Sequence, residues 1–143
     1  MKNYRRRIMD TLLEKKLQAK GAVLIEGPKW CGKTTTAEEI ATSKIMLAKP
    51  DIKEHFKSLL EIDTDAALAG ETPMLIDEWQ TVPKLWDAVR YTVDHRHAMG
   101  QFILTGSAVP DKDAEKEREH SGTGRFAWLT MRPMTLFESG ASN

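Results

Sequence analysis

The stretch Gly27 to Thr35, GPKWCGKTT, carries the residue spacing that phosphate binding requires. Gly27, Gly32, Lys33 and Thr34 satisfy the pattern G-x-x-x-x-G-K-[ST], with Pro28, Lys29, Trp30 and Cys31 at its variable positions and Thr35 directly after it. The glycines let the backbone curl until successive N–H groups point inward. The helix that follows adds its unpaired N-terminal donors and the positive end of its dipole. Such a loop holds an anion. Lys33 would reach the β- and γ-phosphates of ATP as a point charge, and the Thr34 hydroxyl would hold Mg2+. Trp30 and Cys31 do not obstruct this, because at the variable positions the backbone does the binding and side chains can point away.

Three further places carry chemistry. The apolar run MLIDEW ends in two carboxylates: Asp77 is the hard oxygen ligand a magnesium site needs opposite the loop hydroxyl, and Glu78 is placed to deprotonate an attacking water. A small-molecule kinase would not need that second carboxylate. In QFILTGS, either Thr105 or Ser107 could touch the γ-phosphate or the lytic water, and turn chemistry explains Gly106 and Ser107 equally well. Arg125 follows SGTG, where a guanidinium could reach the nucleotide of a neighbouring subunit or simply face solvent. Cys31 is read as a bystander, since the fields that would favour its thiolate exist to hold phosphate. His55, His95, His97 and His120 have no spacing that builds a zinc site.

These residues need a scaffold, and the hydrophobic pattern predicts one. A helical stripe from about Tyr4 to Lys20 precedes the short apolar run AVLIE, and Thr34 to about Lys44 reads as a helix followed by an edge strand in KIML. Ile52, Phe56, Leu59 and Leu60 fall at helical spacing, and DTDAALAG reads as a short helical turn closed by Gly70. MLIDEW is a buried strand; Pro83 opens a helix running to about Ala98 with Gly100 as its stop; QFILTGS and RFAWLTM are further strands. Residues 108–124 read as a charged surface excursion. Apolar strands alternating with helices predict a three-layer α/β domain with a mostly parallel sheet, whose ligands sit beyond the carboxyl ends of the strands.

The 143 residues have room for one domain. Basic and acidic residues both number 21, so no global basic field argues for nucleic acid, and Arg5, Arg6 and Arg7 read as a solvated helix face. With one cysteine, no signal-peptide pattern and no apolar run of membrane-spanning length, the expectation is a soluble cytoplasmic protein without a membrane partner. Thr135 and Glu138 form a capping box just before the chain stops, so residues 1–143 are expected to be the front part of a longer polypeptide.

In this order GPKWCGKTTTAEEIA, PMLIDEWQTVPKLWDAVR, GQFILTGSAVP and SGTGRFAWLTMRPMTLFESG resemble the bacterial and archaeal AAA-type ATPases that pair an N-terminal ATPase domain with a C-terminal domain of unknown function. The resemblance implies an AAA+-like core with a five-stranded sheet ordered 5-1-4-3-2, Asp77 and Glu78 as the Walker B pair, Thr105 or Ser107 as sensor 1, and Arg125 at an arginine-finger position, which implies a homo-oligomer. It also implies a helical lid and a further domain after residue 143. The expected function is Mg2+-dependent ATP hydrolysis driving a conformational or remodelling task. A nucleotide-dependent switch or adaptor and a small-molecule kinase are the alternatives.

If the loop holds phosphate, saturating MgATP should slow alkylation of Cys31 several-fold. The chain has one cysteine, so the modified fraction read by mass spectrometry reports on this loop alone.

Overall fold

The computed structural model describes residues 2–27, 33–106 and 126–130, with side chains described over 10–27, 35–106 and 126–129. In chain order the elements are α1 (Lys2–Ala19), β1 (Ala22–Glu26), α2 (Lys33–Ile40), β2 (Ser43–Met46), α3 (Pro50–Ile62), α4 (Thr64–Ala67), β3 (Met74–Asp77), a 3-10 turn (Trp79–Thr81), α5 (Leu85–Arg96), β4 (Phe102–Gly106) and β5 (Phe126–Thr130). The predicted excursion at 108–124 and the capping box at Thr135 and Glu138 lie outside the described residues.

All the strand pairings are parallel, and the order β2-β3-β4-β1-β5 is the expected 5-1-4-3-2 read from the other edge. Helices must then cover both faces, and the alternation of side chains along each strand shows how. Ala22, Leu24, Met74, Ile76, Phe102, Leu104 and Phe126 join one apolar layer with Phe56 and Leu60 of α3 and Leu85, Trp86, Val89 and Val93 of α5. The intervening residues Val23, Ile25, Leu75, Ile103 and Leu129 pack on the opposite face with Leu13 and Leu17 of α1 and Ala37 of α2. Buried aliphatic and aromatic side chains of this kind stabilise by about 1.5–3 kcal/mol each, so the three-layer sandwich follows from strands apolar on both sides.

Element ends differ from the sequence reading in informative ways. The helix read as reaching Lys44 stops at Ile40, because Ser43–Met46 is recruited as the sheet's edge strand against β3. The helix read as opening at Pro83 begins at Leu85, after the 3-10 turn. It ends at Arg96, capped by His97, whose N–H donates to the Val93 carbonyl and whose left-handed backbone (φ 49°) turns the chain out of the helix. Gly100 serves the next step instead. At φ 65° it turns the chain so that its N–H and that of Gln101 donate to the carbonyls of Lys20 and Gly21, aligning the start of β4 with β1.

Gly21 allows α5 to approach β1, since a Cβ there would run into the Val93 side chain. Val93 is β-branched and stiff, so Gly21→Ala should destabilise the domain by about 1–3 kcal/mol. Urea denaturation would show this as a lower midpoint at unchanged slope.

Candidate active site

Parallel register places the chemistry on one row. Met46, Asp77, Thr105, Ile25 and Leu129 are successive partners across the sheet, one residue from the carboxyl end of β1, β4 and β5 and at the last residue of β2 and β3. Alternation then chooses the face. Asp77 and Thr105 share the parity of Leu75 and Ile103, so their side chains project toward the side covered by α1 and α2. The helix that follows the glycine-lysine loop therefore lies over the face on which these two polar groups emerge.

Both groups are deeply buried, Asp77 at 7% exposure and Thr105 at 0%. The Thr105 hydroxyl donates to Asp77 Oδ1 at 2.6 Å, a short charge-assisted bond that fixes the carboxylate's orientation. The backbone repeats the link one residue on, where the Glu78 N–H donates to the Thr105 carbonyl at 2.7 Å. On the other side of β3, the Leu47 N–H donates to the Asp77 carbonyl at 3.2 Å.

Glu78 leaves the strand. Its backbone is left-handed (φ 58°, ψ 44°), a conformation costing a non-glycine residue about 1–2 kcal/mol. This break redirects Glu78, which a continuing strand would send to the face opposite Asp77. The turn after it is tightly held: the Thr81 hydroxyl and N–H both donate to the Glu78 carbonyl, at 2.8 and 3.1 Å. Gln80 Nε2 donates to Glu78 Oε2 at 2.6 Å. Trp79 is buried with its ring 5.4 Å from that of Trp86, which stacks at 4.2 Å on Phe126 of β5, so the turn is anchored in an apolar layer.

Gly106, at the tip of β4, has no room for a side chain. A Cβ would sit 2.7 Å from Gln80 Oε1 and 3.0 Å from Trp79 Nε1. The glycine of LTGS thus accommodates the turn after β3, a reason the sequence reading did not supply. Nor did that reading identify Gln80 or the pairing of Thr105 with Asp77. Only the register between β3 and β4 brings these residues together.

Gly27, Asp77, Glu78 and Thr105 all lie at the carboxyl edge, and Thr35 lies in the first turn of α2. Lys33 and Thr34 open α2, with side chains outside the described residues. Pro28, Lys29, Trp30, Cys31 and Gly32, together with Ser107 and Arg125, are likewise outside them. No helix among the described residues is long and apolar enough to cross a membrane.

An all-parallel five-stranded sheet in this order, covered by helices on both faces, is a three-layer α/β fold of the P-loop nucleoside-triphosphatase class. Residues 19–139 match the family model described as AAA domain, and the chain belongs to that family: it is a nucleotide-binding AAA-type domain. Two curated relatives, uncharacterized proteins of Mycobacterium bovis and Mycobacterium tuberculosis, are each 31% identical over 138 residues. Those residues make up 96% of this chain but 31% of each relative, so the chain spans about a third of their length. Among solved structures, the Aeropyrum pernix ORC2 protein in its ADPNP-ADP complexes is similar with a TM-score of 0.51 at 14% identity, covering 94% of this chain and 48% of that one. C. elegans PCH-2 gives 0.48 at 16% identity, covering 93% and 43%.

Thr105→Val keeps the shape but removes the donor to a buried carboxylate, a bond of the kind worth about 1.5–3 kcal/mol. The variant should lose stability in that range by urea denaturation, whereas Thr105→Ser, which keeps the hydroxyl, should lose less than half as much.

Proposed function

We propose that this domain binds MgATP at the carboxyl edge of its sheet and hydrolyses it. The observation that carries the reading is the Thr105–Asp77 hydrogen bond on the α2 face, with Glu78 turned out of the strand immediately beyond it. A buried carboxylate oriented by a hydroxyl and followed by a second, differently directed carboxylate separates two tasks, holding a cation and moving a proton. The ADPNP-ADP complexes of the Aeropyrum pernix ORC2 protein support the same ligand class.

In this reading the amides of residues 27–34 and the Lys33 ammonium hold the β- and γ-phosphates. Asp77 and the Thr34 hydroxyl are the residues that would hold magnesium, and a carboxylate with a hydroxyl suits a hard cation that prefers oxygen. When bound, magnesium neutralises charge on the phosphate oxygens. Thr105 keeps Asp77 in one orientation, which leaves contact with the γ-phosphate to Ser107.

Glu78 accepts a proton from the attacking water as its oxygen bonds to the γ-phosphorus. The bond from that phosphorus to the bridging oxygen breaks, and the electron pair leaves with ADP. Arg125, supplied by a second copy, would stabilise charge developing on the transferred group.

Glu78→Gln should leave the MgATP dissociation constant within about threefold while lowering the single-turnover hydrolysis rate at least about a hundredfold, the scale of a lost general base. Lys33→Ala should instead weaken nucleotide binding itself by about tenfold or more, read by titration calorimetry. Full hydrolysis in the glutamine variant would remove Glu78 from its role, and unchanged affinity in the alanine variant would remove the loop from its own.

A further inference from the structure

The turn after β3 contains a polar residue that the hydrolytic scheme above does not use. Gln80 donates from Nε2 to Glu78 Oε2 at 2.6 Å, and the reverse amide orientation would set oxygen against oxygen, so the donor end faces the carboxylate. The other end, Oε1, is buried and accepts no hydrogen bond among the described residues. Buried acceptors are normally satisfied, and leaving one unpaired opposes folding. The carboxamide thus keeps its bond to Glu78 at the expense of its own oxygen.

Two further features hold it there. The left-handed backbone at Glu78 and the 3-10 turn that follows bring residue 80 back over residue 78, with both Thr81 donors closing the loop. Gly106 leaves open the space that Gln80 Oε1 and the Trp79 indole fill at the tip of β4. An unsatisfied buried oxygen and a strained backbone, adjacent in one turn, are costs that tend to collect where geometry serves function.

The geometry points to Gln80 as the positioning residue for the general base: its amide holds the Glu78 carboxylate in one orientation so that each bound water meets it in the same geometry. This rests on Glu78 acting as the base. The Glu78 backbone is held through its N–H and its carbonyl, and the Gln80 amide extends that hold to the side chain. The short hydrogen bond from Gln80 restrains the carboxylate end of that side chain. Gln80 touches neither nucleotide nor water in this scheme and acts only through Glu78.

Four variants of the full-length protein test this in single-turnover and steady-state hydrolysis, with melting temperature as the folding control. Gln80→Met keeps the bulk against Gly106 and Trp79 without the donor, and should lower kcat roughly ten- to hundredfold with KM for MgATP nearly unchanged. Gln80→Glu, isosteric but repelling Glu78, should fall at least as far, while Gln80→Lys, which restores a donor, should recover part of the loss. Gln80→Met combined with Glu78→Gln should be no slower than Glu78→Gln alone, because a group acting through Glu78 has nothing left to act on. Wild-type kcat in the methionine variant, equal losses in methionine and lysine variants, or additive losses in the double variant would each overturn the assignment. Unmeasurable hydrolysis by the wild-type protein despite MgATP binding would overturn the hydrolytic reading and this inference with it, an outcome distinct from active wild type with indifferent variants.

Discussion

The parallel pairing of β3 with β4, in the register that sets Asp77 beside Thr105, is the constraint on which the candidate site depends. A one-residue slip between these strands would reverse the facing of every side chain, exposing Leu75 or Ile103 to the wrong layer and separating the carboxylate from its hydroxyl. Two apolar layers prevent the slip. Met74, Ile76, Phe102 and Leu104 are committed to the α3/α5 side, and Leu75 and Ile103 to the α1/α2 side. Core packing and site geometry are therefore set by one alignment along the same strands.

At the carboxyl edge the protein departs from regular structure in a few residues only. Glu78 turns left-handed, the 3-10 turn closes on its carbonyl, and Gly106 yields space to that turn. The tryptophan stack keeps this irregular segment in place: Trp79, Trp86 and Phe126 connect the turn after β3 to α5 and to the far edge strand. A local strain at one carboxylate is thus supported by aromatic contacts drawn from three parts of the chain. Irregular backbone of this kind is affordable only where packing over-determines it.

Family membership and fold agree in making this a nucleotide-binding AAA-type domain, and the relatives extend well beyond it. Fold alone does not select a biological task, because many nucleotide-driven machines share this sheet. What the site adds is a proposed division of labour in a dipeptide, with Asp77 oriented for a cation and Glu78 oriented for a proton. Adjacent residues on a regular strand point to opposite faces, and the left-handed backbone at Glu78 departs from that alternation.

Local sequence determined the elements and the chemical vocabulary. AVLIE, MLID and FILTG are apolar at every position but the last one or two, which dictates burial on both faces and hence parallel strands covered by helices. The glycine-lysine spacing carries the expectation of a phosphate loop, a reading of local sequence alone. Helix ends were less legible, because the loss of Lys44 from α2 reflects competition with sheet pairing against β3, where Lys44 partners Leu75. Only the tertiary structure decided that Thr105 orients Asp77, that Gln80 grips Glu78, and that Gly106 is a glycine because another segment fills its side-chain space. The first and last of these join segments far apart in the chain, and the second, though local, depends on a turn held against β4; a hydrogen bond or a steric exclusion exists only once packing brings its two partners together.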